Sequence, residues 1–172
     1  IYSIHTKSQF IHQLHERGDH LLFVNDMGIY QIDDLLTKPK VIPLLEGTIN
    51  ETAGLPFYPN DFVLDKDQDI WLTQSNHSIG RLQQGDFKTY QFSKTNKAQK
   101  LAIHEDSKGG IWVLSPLDGI FYFDKTTNTF EKKLNIKNGN TLLIHKDYLV
   151  VGNDALHVYT IQENKPQLIR TI

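Results

Sequence analysis

Apolar residues fall along this chain in short runs of four to six, separated by Gly, Asn and Asp. Ile29-Tyr-Gln-Ile32, Ile120-Phe-Tyr-Phe123 and Leu156-His-Val-Tyr159 are examples. Runs of this length, rich in aromatic and β-branched residues and bounded by turn formers, predict strands. Sustained helical periodicity is scarce; Asp33-Asp-Leu-Leu-Thr37 makes one turn at most. The pattern predicts an all-β chain.

The runs recur in a fixed order. Asp65-Lys-Asp-Gln-Asp-Ile-Trp71 and Asp106-Ser-Lys-Gly-Gly-Ile-Trp112 each place an Asp six residues before a Trp, and the two Trp are 41 residues apart. Leu22-Phe23-Val24 and Leu149-Val150-Val151 read as weaker copies. With Phe23, Trp71, Trp112 and Val150 taken as equivalent, the spacings are 48, 41 and 38. Each copy holds an apolar stretch, a polar turn and the Ile-Trp strand. A small-residue loop such as Asn25-Asp-Met-Gly28 or Ser115-Pro-Leu-Asp-Gly119 then leads to a third strand, a turn and a fourth. Four strands per forty-odd residues is the arithmetic of a β-propeller blade. The reading predicts blades over 3–47, 48–93, 94–134 and 135–172. It also predicts a portion of a larger wheel of about six to eight blades, with a closed four-bladed ring as the alternative. Ile1-Tyr-Ser-Ile4 reads as the tail of a preceding blade.

Composition narrows the function classes. Eighteen Lys and Arg against 20 Asp and Glu give a formal net charge of −2, too weak a basic field for general nucleic-acid binding. Hydrophobic residues at 39% and charged residues at 22% exclude a disordered chain. No apolar run approaches the ~20 residues of a membrane helix, so direct membrane insertion by this segment is not expected. The absence of cysteine excludes disulfides, thiolate metal sites and cysteine nucleophiles. A chain that opens at Ile1 without a leader reads as a mature or trimmed piece.

Gly54-Leu-Pro56, Asn60-Asp-Phe-Val63, Asp65 and Asp69-Ile-Trp71-Leu-Thr73 resemble the two-component regulator propeller repeat. The third copy resembles it through Asp106, Gly109, Ile111, Trp112, Gly119, Ile120, Phe123, Asp124 and Phe130. Gln68 stands where the repeat has a turn glycine, and Thr73 and Leu114 lie near a blurred Gly-Thr pair. The resemblance implies part of the periplasmic sensor domain of a bacterial hybrid two-component system. In that family two propellers precede an immunoglobulin-like domain, a membrane helix and a cytoplasmic histidine kinase, and many members sense oligosaccharides. The partners it implies are an oligosaccharide ligand, further blades and downstream domains of a longer chain, and a second copy in a homodimer.

In a four-stranded meander the loop between strands two and three emerges beside the start of strand one, where the inter-blade connections also arrive. That end collects Asn25, Asp26, Tyr58, Asn60, Gln74, Asn76, His77, Ser115, Asp118, Asn153 and Asp154. Amide, carboxylate and imidazole groups with a nearby Tyr suit a neutral polyhydroxylated ligand. Asn25, Asp26, Tyr58, Asn60, His77, Asp118 and Asn153 are therefore the candidate ligand-binding residues. Asn, Asp and Gly also make turns without any ligand.

Three further patterns have plainer readings. Leu14-His15-Glu16, Ile103-His104-Glu105 and Ile144-His145-Lys146 repeat a triplet, with Val63 at the place in the second copy. Radially placed histidines need not converge on one ion, so a hydrogen bond near the first hairpin is the preferred account. Asp65-x-Asp67-x-Asp69 resembles the start of a calcium loop but has Ile70 and Asn76 where Gly and Glu are required. Asn50-Glu-Thr52 and Asn76-His-Ser78 fit glycosylation sequons that arise often by chance. No nucleophile elbow, phosphate loop, zinc motif or dinucleotide fingerprint is present. The expectation is a non-catalytic segment without metal or cofactor. A carbohydrate-active propeller lyase or hydrolase, and a protein-interaction scaffold, are the alternatives.

Overall fold

A computed structural model of the protein describes residues 11–25, 27–46, 59–74, 77–91 and 100–172. They form four antiparallel sheets of four strands each, every one a simple meander in chain order. The first holds β1 (Ile11–Arg17), β2 (His20–Asn25), β3 (Gly28–Asp33) and β4 (Lys40–Glu46). The second holds β5 (Pro59–Leu64), β6 (Ile70–Gln74), β7 (Ser78–Gln83) and β8 (Asp86–Gln91). The third holds β9 (Ala102–Glu105), β10 (Ile111–Ser115), β11 (Gly119–Asp124) and β12 (Thr129–Leu134). The fourth holds β13 (Thr141–His145), β14 (Tyr148–Gly152), β15 (Leu156–Gln162) and β16 (Lys165–Thr171).

A lone four-stranded sheet cannot bury both faces, so the sheets stack face to face. Leu22, Val24, Ile29 and Leu45 of the first blade pack on Phe62, Ile70 and Leu72 of the second. Trp71 and Ile79 meet Ile103, Ile111, Val113 and Phe123 of the third. Trp112, Leu114 and Ile120 meet Leu142, Leu149, Val151 and Tyr159 of the fourth. The first strands β1, β5, β9 and β13 adjoin in that order and line the inner edge. Among the described residues, no comparable strand packing joins the fourth blade back to the first. The far face of the fourth blade leaves Leu143, Tyr148 and Leu156 at 53%, 47% and 46% exposure.

The Asp-to-Trp spacing has a structural cause. Each Asp closes a turn of five residues between the first two strands: Asp65–Asp69 in the second blade, 106–110 in the third. Asp65 Oδ1 accepts from the amides of Asp67 and Asp69 at 2.9 and 3.0 Å, and Oδ2 accepts from the Trp71 indole at 2.8 Å. Asp106 repeats this with Lys108, Gly110 and Trp112 at 2.9, 2.8 and 2.8 Å. Both carboxylates are buried, so these donors replace the water they lost. The fourth turn residue needs a left-handed backbone: Gly109 has φ +86° and Gln68 takes φ +67°.

The outer copies lack Asp and Trp because their first hairpins have two-residue turns, between Arg17 and His20 and between His145 and Tyr148. The shorter turn corrects the equivalence of Phe23 with the two Trp. His15 pairs with Leu22, as His104 pairs with Trp112, so Leu22 is the residue facing the next blade. Phe23 points to the opposite face, where it stacks on Tyr30 at 5.0 Å. One residue of slip exchanges the two faces. Val150 pairs with Leu143 and keeps its predicted equivalence, whereas His145 lies beyond the equivalent position and is exposed.

The three Asp of the calcium-like stretch turn to three different partners. Asp65 holds its own turn, Asp67 pairs with Lys125, and Asp69 pairs with Arg81 at 2.6 Å.

Candidate functional site

The meander register fixes which loops share an end. Asn25 pairs with Ile11, Gln74 with Pro59, Leu114 with Ala102 and Gly152 with Thr141, so each β2–β3-type turn sits beside the start of its blade's first strand. That end displays the turns of all four blades.

Most of the described candidate residues there serve their own turns. Asn25 is fully buried, and its Oδ1 accepts from the amides of Met27 and Gly28 at 2.8 and 3.1 Å. Asn153 Oδ1 accepts from the Ala155 amide at 3.0 Å and meets His157 Nε2 at 3.1 Å. Asp118 accepts from the Ser115 hydroxyl at 2.9 Å, while its amide donates back to that oxygen at 3.3 Å. Gln74 accepts from the Ser78 hydroxyl. Asp154 is exposed. Asp26, Tyr58, Asn76, Asn50 and the side chain of Asn60 lie outside the described residues.

His77 stands apart. It is 1% exposed and holds a left-handed backbone at φ +60°. Burial pushes its pKa down, and the Asp118 carboxylate of the next blade works against that shift. These two are the candidates that the fold brings within each other's field across a blade boundary. Buried nitrogens without a hydrogen-bond partner among the described residues include His77 Nε2, Asn25 Nδ2 and Gln74 Nε2. A buried polar group in this state costs about 1–3 kcal/mol. The turn end of blades one and two therefore holds unspent hydrogen-bonding capacity.

A second constellation lies on the inner edge, and of its residues the sequence singles out His104 alone, as a structural hydrogen-bonding histidine. A cleft of about 190 Å³ is lined by Asp61 of β5, Lys100 and His104 of the third blade, and Asn140 and Thr141 at the start of the fourth. Burial pushes the Asp61 carboxyl up, against the pull of Lys100, His104 and Gln13. Burial pushes His104 down, opposed by Asp61 and by a bond to the Leu142 backbone. That bond reaches the next blade, so the first-hairpin account of the histidine triplet fails for His104. His15 fits that account: its Nδ1 lies 2.9 Å from the Glu16 carbonyl oxygen beside the hairpin, with the ring 5.5 Å from Phe62. Gln13 bridges the first two blades, accepting from the Phe62 amide at 2.8 Å and donating to its carbonyl at 3.3 Å.

A signal for this cleft was present in the sequence. Counting two residues back from His15, Val63, His104 and Leu143 gives Gln13, Asp61, Ala102 and Thr141. Three of these four inner-strand positions are polar. Only the register shows that they share the inner edge.

Among the described residues no group of three or more His, Asp or Glu is placed to hold a metal ion. No described helix is long and apolar enough to cross a membrane.

No protein-family model and no curated protein matches the sequence. Solved structures do match. A catalytically inactive virginiamycin B lyase from Staphylococcus aureus aligns with 97% of this chain and 57% of its own, at 15% identity and TM-score 0.67. AztD from Citrobacter koseri aligns with 91% of this chain and 45% of its own, at 12% identity and TM-score 0.66. The extracellular domain assigned to a hybrid two-component system of B. thetaiotaomicron aligns with 95% of this chain and 25% of its own, at 16% identity and TM-score 0.64. The chain thus spans about half, or less, of the length of these structures. Likeness at such identities speaks to the fold, and the fold is a β-propeller of four-stranded antiparallel blades.

Proposed function

We propose that this chain is a non-catalytic, extracytoplasmic sensor segment of a two-component signalling protein. In this reading it contributes to recognition of an oligosaccharide or similar signal that is relayed to a cytoplasmic histidine kinase. One observation carries the reading most directly: the turn end of the stacked blades holds buried amide and imidazole nitrogens of Asn25, Gln74 and His77 without a hydrogen-bond partner among the described residues. Loops on a rigid scaffold are where recognition residues concentrate. The repeat's resemblance to two-component regulator propellers supports the signalling role, and the extracellular domain of similar fold supports the location. To signal, the ligand must favour one of two domain arrangements; equal affinity for both shifts nothing.

Calorimetry with a panel of oligosaccharides, coupled to chromatography of the same samples, tests this. Binding with the glycans recovered intact supports the sensor. A second reading, a lyase or hydrolase, draws on the Asp61 and His104 pair in the inner cleft and on the lyase of similar fold. Steady release of cleaved product, abolished in His104→Ala, would replace the first reading with the second. Absence of glycan binding together with capture of a protein domain would favour a scaffold.

A further inference from the structure

We propose that the inner cleft is a binding site for one neutral, polyhydroxylated ring, such as a single unit of a sugar chain, held by Asp61, Lys100, His104, Asn140 and Thr141. The ligand class rests on the carbohydrate reading above; the place rests on the lining itself, at the starts of the first strands beside the turn end.

Three blades supply the lining, so the cleft exists only when they are stacked. Its chemistry is balanced. An ionised Asp61 only accepts hydrogen bonds and Lys100 only donates them; neutral His104, whose N–H goes to the Leu142 backbone, has its other nitrogen to accept, while Asn140 and Thr141 offer both. A sugar hydroxyl is itself a donor and an acceptor and matches such a mixture. A carboxylate or phosphate ligand would need donors throughout and would meet Asp61. The charges of Lys100 and Asp61 offset each other, leaving no net field for an ion. The size, about 190 Å³, lies below the ~300–1,000 Å³ of pockets for larger organic ligands, which limits the occupant to about one ring.

Asp61 is also a poor choice for structure alone. Its equivalents Gln13, Ala102 and Thr141 show that this inner-strand position accepts neutral residues. Gln13 there clamps the neighbouring blade's backbone and also bonds the Asp61 side chain, yet burial still makes that carboxylate harder to ionise. Ligand hydroxyls would add donors to those of Gln13 and the Phe62 amide.

The test is protein-observed NMR on the whole 15N-labelled chain, titrated with neutral hexoses, inositol and the matching uronic acids. The expected result is progressive shifts of the Asp61, His104 and Thr141 amides with at least one neutral ring. Lys100→Met and Thr141→Val should each weaken that binding by about fivefold or more, and Lys165→Met, exposed on the outer strand β16, should leave it unchanged. Lys100 is exposed, so its variant tests the idea without endangering the fold. A uronic acid that binds tighter than its neutral counterpart overturns the proposal. So does neutral-ring binding indifferent to both cleft variants, or no shift at any cleft amide with every ring. Those last two results leave the sensor reading standing if calorimetry still finds an oligosaccharide bound elsewhere.

Discussion

A buried carboxylate that gathers an indole and two backbone amides is the smallest unit on which this fold depends. Replacing Asp106 with Ala leaves three donors in the interior without acceptors, at about 1–3 kcal/mol for each that stays dry. The expected loss of stability is about 3 kcal/mol or more, read as a lower midpoint in urea unfolding. The turn residue behind it predicts the opposite sign. Gln68 holds φ +67° where the sister turn has Gly109, and a left-handed backbone costs a side-chain-bearing residue about 1–2 kcal/mol. Gln68→Gly should therefore raise stability by about 1 kcal/mol, less the exposed contact between Arg17 and the Gln68 side chain at 3.3 Å. Two histidines set a pH dependence. Burial lowers the folded-state pKa of both His77 and His104, so the fold prefers each imidazole neutral. Their contribution is complete above the ordinary histidine value of about 6.5. It is lost as pH falls from there toward the lowered values, since the unfolded chain takes up the proton first. Urea midpoints measured between about pH 8 and 5 should fall on the acid side, and His104→Gln should flatten the slope.

Blades two and three solve one packing problem in two ways. In the third blade Gly110 leaves room for Tyr122, and an added Cβ would lie 2.5 Å from the ring. In the second blade Asp69 and Arg81 occupy those two places, joined at 2.6 Å, with Gln83 donating to the same carboxylate at 3.0 Å. The Arg81 guanidinium lies over Trp71 at 4.9 Å and Phe123 at 5.5 Å, closing the second interface. Asp69→Ala strands a largely buried cation and should cost about 3 kcal/mol by thermal or chemical unfolding. The double change Asp69→Gly with Arg81→Tyr rebuilds the third blade's arrangement and should recover most of that loss. Equal losses in the single and double variants would show that the two solutions are not interchangeable. The sequence displayed both members of each pair, but nothing linked them until β6–β7 and β10–β11 placed Trp71 beside Arg81 and Trp112 beside Tyr122.

Across the whole chain, the stacking makes the two faces of the fourth blade unequal. Leu142 is 3% exposed against the third blade while Leu143, its neighbour in sequence, is 53% exposed on the far side. Leu142→Ala should cost about 2–4 kcal/mol, and Leu143→Thr should stay within about 0.5 kcal/mol, both read from urea unfolding. What the sequence by itself determined was whatever is local and periodic. Short apolar runs with Gly, Asn and Asp between them dictate strands and turns, and the recurring Asp-to-Trp interval dictates one hairpin repeated. The all-β, four-strand repeat followed from these. Which residue of the first copy matches the tryptophans was not local. A two-residue turn in place of five moved the register by one and put Leu22, not Phe23, against the next blade. The turn-end candidates were legible as turn formers, yet whether an Asn closes its own turn or leaves a nitrogen unpartnered depends on what buries it. The inner cleft was settled by tertiary structure alone. Asp61, Lys100, His104 and Thr141 come from three blades and span 81 positions, counting from 61 to 141, and they meet only because stacked sheets bring their first strands to one edge.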